Sequence, residues 1–124
     1  SIMTGTAYPA LWDLHYDAND ESLHSMAEAY TRIYINTCLS NKVEVLLNIM
    51  EKGKIDGTIY HLNRSCKLMS FLNVETAEII KEANGKPYVS FDGDQTDPNV
   101  YSEAQYETRV QALVEMMEAN LAEA

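Results

Sequence analysis

Cysteine is scarce in this chain of 124 residues: there are two, Cys38 and Cys66. They lie far apart and form no CxxC pattern. They therefore give neither a disulfide framework nor a self-contained zinc site, and a reducing cytoplasm is expected rather than export. Basic residues are also few. Nine Lys and Arg stand against nineteen Asp and Glu, and the resulting charge of −10 repels phosphate backbones, so no nucleic-acid partner is expected. No apolar run approaches the ~20 residues that span a bilayer, so no membrane partner is expected either. No basic stretch leads into an apolar one, as a secretory signal would require. Neither GxGxxG nor GxxxxGK followed by Ser or Thr occurs, which leaves nucleotide hydrolysis without support. Phe and Trp are rare, two and one, but eight Tyr and 46% apolar residues suffice for a globular core and exclude disorder. The length suits one domain. Ser1 stands in place of an initiator Met and opens a strand-like run, so a piece of a longer protein is expected.

Ser1 to Tyr8 predicts a short strand, with Gly5 and Pro9 marking its exit. An irregular loop follows, carrying Trp12, Asp13, His15, Tyr16 and Asp17. Asn19 or Asp20 can cap a helix whose apolar positions are Leu23, Met26, Ala27, Tyr30, Ile33 and Tyr34. The rhythm falters from Asn36 to Asn41, where polar side chains compete for backbone hydrogen bonds. A second helix is expected from about Lys42, with Val43, Leu46, Leu47 and Met50 inward and Gly53 as its stop. Ile55 to Leu62 predicts a second strand. A helix is expected from about Val74, with Ala77, Ile79, Ile80 and Ala83 apolar and Asn84-Gly85 as its end. Pro87 to Phe91 predicts a third strand. Ser102 and Gln105 form a capping box for a last helix with Tyr106, Val110, Leu113, Val114 and Met117 in its core stripe. The alternation predicts an α/β fold: a small parallel sheet of about three strands with helices packed on it, in the Rossmann or flavodoxin manner.

The run Tyr60-His61-Leu62-Asn63-Arg64-Ser65-Cys66-Lys67 is the most informative. In an open α/β sheet, the loop leaving the C-terminal end of a strand is where ligands and metals sit. Asn63, Arg64 and Ser65 surround Cys66 with donors, and Lys67 adds a second cation. Positive charge and donors favour the thiolate, the form that attacks or binds metal. A small, half-buried packing residue is the competing reading, and chemistry alone leaves both open. Asp92, Asp94 and Asp97 are spaced somewhat like a cation loop, but Pro98 and the missing Glu favour a solvated turn with Asx caps. His15 and His24 have no third ligand. His61 lies inside a strand, pointing across the sheet and away from the loop tip, so a Cys–His dyad is not favoured. Tyr30, Tyr34, Tyr60, Tyr88 and Tyr106 fall at core-like positions. Cys38 reads as a structural thiol.

Several stretches resemble the 2-hydroxyacyl-CoA dehydratase and benzoyl-CoA reductase family, in its C-terminal part. They are Ser25-Met26-Ala27-Glu28-Ala29-Tyr30, Asn63-Arg64-Ser65-Cys66-Lys67, and Phe91-Asp92-Gly93-Asp94-Gln95-Thr96-Asp97-Pro98. The run from Ser102 to Leu113 continues the match, and the similarity covers nearly the whole chain. Asp-Gly-Asp-Gln resembles the hydroxyglutaryl-CoA dehydratase branch, and its larger subunit type, more than the benzoyl-CoA reductases. The resemblance implies that residues 1–124 are a C-terminal α/β domain of a longer dehydratase subunit. It implies a [4Fe-4S] cluster, with Cys66 as one ligand and the others outside this chain. Asn63, Arg64 and Ser65 would then surround the cluster, and Tyr8, Trp12, Asp92 and Asp94 would line the pocket.

Family members eliminate water from (R)-2-hydroxyacyl-CoA thioesters through a ketyl radical to give enoyl-CoA. The resemblance thus implies an acyl-CoA substrate, a second dehydratase subunit and an ATP-dependent iron–sulfur activator protein as partners. A single cysteine cannot hold a cluster, so this chain alone is expected to bind none and to be inactive. Two other readings stay open: a benzoyl-CoA reductase-type subunit, and a non-catalytic interaction or electron-carrier domain.

Overall fold

The computed structural model describes residues 3, 5–7, 14–17 and 21–123. Among these, the elements run α1 (Ser22–Arg32), α2 (Leu39–Gly53), β1 (Thr58–Asn63), α3 (Lys67–Asn84), β2 (Tyr88–Gly93), a 3-10 turn (Pro98–Val100) and α4 (Glu103–Glu123). β1 and β2 pair in parallel, from Thr58↔Tyr88 to Asn63↔Gly93. Parallel neighbours need a crossover, and α3 supplies it. The fold is therefore α/β as expected, with a small parallel sheet of two strands and four helices among the described residues.

Strand alternation assigns the two faces of the sheet. Ile59, His61, Val89 and Phe91 share one face, where the Phe91 ring meets Tyr106 of α4 edge-on at 5.2 Å. Tyr60 and Tyr88 share the other, where the Tyr88 hydroxyl donates to Glu78 of α3. α3 packs on β1, α4 on β2, and α2 on α3. Ala77 and Ile80 of α3, Val89 of β2 and Leu113 of α4 are all buried, which is where the core lies. Val110, Val114 and Met117 continue the α4 stripe as half-buried residues. No helix of the described residues is long and apolar enough to cross a membrane.

Several boundaries differ from expectation, each for a local reason. Of the expected first strand, Met3, Gly5, Thr6 and Ala7 are described and lie in no strand, while the rest falls outside the described residues, as do Asn19 and Asp20. In α1 the buried residue is Ala29, whereas Leu23 and Tyr30 are exposed. The chain leaves the helix at Ile33, whose backbone is extended. Ile33 and Tyr34 are buried from the turn that follows, so counting them into the helical rhythm rotates the predicted face.

α2 begins at Leu39, ahead of Lys42, because the Lys42 amide already donates to the Cys38 carbonyl at 3.1 Å. Lys42 is itself buried, with its ammonium on the Ile35 carbonyl at 3.3 Å and over the Tyr34 ring at 5.7 Å. Val43, Leu46, Leu47 and Met50 face inward as predicted. At its end, Gly53 is still helical and Lys54 takes the left-handed conformation, φ 49°. α3 ends as predicted, with Gly85 left-handed at φ 70° and its amide on the Lys81 carbonyl at 2.8 Å.

Candidate functional site at the strand ends

β1 runs out at Asn63, and two residues later the chain turns into α3 with Cys66 as the N-cap. The expected loop from Cys66 to Val74 is thus helix. Sequence reasoning missed this start because its usual signals are missing: no side chain caps the helix, and its first turn holds no acid. Asn63 organises the turn instead. Its carbonyl accepts from the Cys66 amide at 2.9 Å and the Ser70 hydroxyl at 2.6 Å, and its Oδ1 accepts from the Ser65 amide at 3.3 Å.

The exit of β2 lies beside this turn, as expected for loops at one sheet edge. The Arg64 amide donates to the Gly93 carbonyl at 2.9 Å, and the Arg64 guanidinium to Asp92 at 3.1 Å. The Ser65 hydroxyl donates to Asp94. Asp94 also accepts from the Thr96 amide and hydroxyl at 2.9 and 2.7 Å. These bonds, from Ser65 first and Thr96 next, hold its carboxyl down to about 2. Asp97 accepts from the Asn99 amide at 3.0 Å, so these acids make the Asx turns that the sequence suggests.

Of the residues singled out, the structure brings together Asn63, Arg64, Ser65, Cys66, Asp92 and Asp94. Tyr8 and Trp12 lie outside the described residues. Arg64 and Ser65 were expected as donors around the thiol; their side chains reach the β2 acids, a pairing visible only once the register is known. Cys66 is half-buried at the N-terminus of an 18-residue helix.

Among the described residues, no group of three or more His, Cys, Asp and Glu is placed to hold a metal ion. Cys66 therefore offers one soft ligand, which fits one corner of an iron–sulfur cluster and not a whole one. His61 lies flat on Phe91 in the sheet face, centroids 5.1 Å apart. Tyr30 is exposed, in contrast to the other four tyrosines of the series. Cys38 is not the structural thiol expected: it is exposed at the start of α2, and hydrogen bonds from the Ser40 hydroxyl and then the Asn41 amide lower its pKa.

Two hollows flank the strands. The larger, about 740 Å³, is mostly apolar and lies between Thr6 and Ala7, Leu46 of α2, Tyr60 and His61 of β1, and Met117 of α4. The smaller, about 260 Å³, is lined by Leu62, Arg64, Lys67, Ser70, Phe71 and Asp92 at the clasped turn.

The family model for 2-hydroxyglutaryl-CoA dehydratase, D-component, matches residues 2–117. The chain is 87% identical over 124 residues to the lactoyl-CoA dehydratase subunit alpha of Anaerotignum propionicum, covering 100% of this chain and 29% of that protein. It is 47% identical over 116 residues to the (R)-2-hydroxyisocaproyl-CoA dehydratase alpha subunit of Clostridioides difficile, covering 94% and 28%. To a benzoyl-CoA reductase subunit of Thauera aromatica it is 27% identical over 123 residues, covering 95% and 28%. The chain spans less than a third of the length of these curated relatives.

Proposed function

Since the chain belongs to the 2-hydroxyglutaryl-CoA dehydratase D-component family, we propose that it is part of the alpha subunit of a 2-hydroxyacyl-CoA dehydratase, a lyase. The observation that carries this reading is the 87% identity, along the whole chain, to a lactoyl-CoA dehydratase subunit. It favours a short (R)-2-hydroxyacyl-CoA such as lactoyl-CoA as substrate, losing its hydroxyl and a proton as water to leave an enoyl-CoA. The weaker identity to a benzoyl-CoA reductase subunit, 27%, favours dehydration over reduction of an aromatic ring.

In this reading the chain is a C-terminal domain of a cytoplasmic protein, and Cys66 supplies one thiolate to a [4Fe-4S] cluster whose other ligands lie elsewhere. The cluster supplies one-electron chemistry and Lewis acidity toward the thioester carbonyl. A second subunit and an ATP-dependent iron–sulfur activator complete the system. The chain's own residues hold Cys66 at the sheet edge: Asn63 through its carbonyl, Arg64 and Ser65 through the β2 acids. Asp92 and Asp94 belong to the pocket wall. We also propose that a third strand joins the parallel sheet in the complete subunit, in a Rossmann-like order.

The test is Cys66→Ala in the complete subunit, assembled with its partner and assayed with activator and ATP. Dehydration and cluster iron should both be lost, while Cys38→Ala keeps both. A Cys66→Ala protein with full iron content and turnover would overturn the assignment.

A further inference from the structure

The turn that carries Cys66 is tied to the exit of β2 at three points. The Arg64 amide reaches the Gly93 carbonyl at 2.9 Å, the Arg64 guanidinium reaches Asp92 at 3.1 Å, and the Ser65 hydroxyl reaches Asp94. The strand register ends at Asn63↔Gly93, so these contacts prolong the parallel ladder beyond the sheet.

The contacts are not equal. Arg64 and Asp92 have side chains 60% and 53% exposed, and such a pair gains little against solvent and side-chain entropy. Asp94 is oriented before it meets Ser65: Oδ1 is held by the amide and hydroxyl of Thr96, which leaves Oδ2 for the serine. Ser65 is fixed in turn through its own amide on Asn63 Oδ1. A bond between two groups already held in place costs little further ordering.

We propose that Asp94, acting through Ser65, is a positioning residue for Cys66: it sets the path of the turn and the direction in which the sulfur faces. The proposal rests on the reading of Cys66 as an iron ligand. Asp94 bonds to Ser65 and Thr96. It acts as the hydrogen-bonded neighbours of metal ligands generally do, by limiting the conformations the ligand can adopt.

Two measurements on the complete subunit test it. In the iron-free form, alkylation of Cys66 by iodoacetamide is followed by mass spectrometry, with Cys38 as internal reference. Asp94→Ala and Ser65→Ala should each speed Cys66 alkylation several-fold and leave Cys38 unchanged. The two variants remove the same bond from opposite sides, so a folding defect in one does not end the test. Asp94→Asn keeps an oxygen for Thr96 and an amide that can donate to the serine oxygen, and should stay near wild type. In the iron-loaded form, the two alanine variants should lose iron to a chelator about tenfold faster and broaden the paramagnetic resonance spectrum, while Asp94→Asn should do neither. Unchanged Cys66 alkylation in both alanine variants would overturn the proposal, as would an Asp94→Asn protein as impaired as Asp94→Ala. If Cys66→Ala retains its iron, the ligand reading fails, and the alkylation arm alone still decides whether Asp94 holds the turn.

Discussion

The His61 imidazole lies nearly parallel to the Phe91 ring, 21° between planes, and covers the Cα of Gly93 so closely that no side chain fits there. A Cβ at residue 93 would meet His61 Nε2 at 2.5 Å and Cδ2 at 2.9 Å. The ring cannot swing aside freely, because Phe91 backs it and Tyr106 backs Phe91. Gly93→Ala should therefore cost about 1–3 kcal/mol, the usual range for overpacking. It should also disturb the Arg64 amide, which donates to the Gly93 carbonyl. Urea unfolding gives the loss, and a destabilisation near zero would mean that His61 has another place to go.

Lys54 caps α2 in the left-handed region at φ 49°, next to a glycine that stays helical. A residue with a Cβ is strained in that conformation by about 1–2 kcal/mol, and glycine is not. Glycine also loses more backbone entropy on folding, so the gain from Lys54→Gly should be about 0.5–1 kcal/mol. The thermal melt of Lys54→Gly should rise accordingly, and an unchanged or lowered melting temperature would refute this account of the cap.

Burial holds the Tyr34 phenol neutral, and the nearby Tyr60 adds to this, so its pKa rises from 10.0 to about 12. As pH rises past about 10 the unfolded chain gives up this proton first, while the native state keeps it. The contribution of Tyr34 to stability is thus complete below pH 10 and disappears as pH climbs toward 12. In ultraviolet titration Tyr34 should be among the tyrosines that ionise late, since Tyr60 and Tyr88 are raised as well, and Tyr34→Phe should remove one late step and lessen the alkaline loss of stability. A Tyr34 that ionises near 10 would show that the site is open to water.

Much of this architecture is legible in the residues themselves. Thr58 to Leu62 and Tyr88 to Phe91 are β-branched and aromatic runs, and both are strands. Asn84-Gly85 ends α3 because glycine takes the left-handed turn without strain. The α4 stripe appears at its 3.6-residue period. Signals carried by one residue of several candidates fail more often. Nothing in Lys67 to Leu72 marks a helix start, since Cys66 makes no side-chain cap and the first turn holds no acid. The buried side of α1 depends on where the chain turns, and it turns at Ile33, whose extended backbone ends the helix. Cys66 and the two acid-bearing stretches stand out in the sequence. That Arg64 and Ser65 reach across to Asp92 and Asp94 depends on the strand register, and a linear pattern does not contain it.

The two cysteines should differ in reactivity in a way their sequence surroundings do not suggest. Cys66 has Arg64 and Lys67 close by in sequence, yet it is half-buried and the Arg64 guanidinium is engaged with Asp92. Cys38 has one basic neighbour, Lys42, but it is exposed, caps α2, and its sulfur lies 3.1 Å from the Ser40 hydroxyl. Bonds from Ser40 first, then from the Asn41 amide, favour its thiolate, and thiolate fraction and access together set the alkylation rate. In iron-free protein near neutral pH, Cys38 should be alkylated before Cys66. Ser40→Ala should slow Cys38 and leave Cys66 unchanged, because it removes the largest contribution to the lowered pKa without touching the strand ends. Peptide mass spectrometry over a time course reads both sites at once. If Cys66 reacts first, its turn is open in solution and its sulfur more accessible than the half-buried position implies.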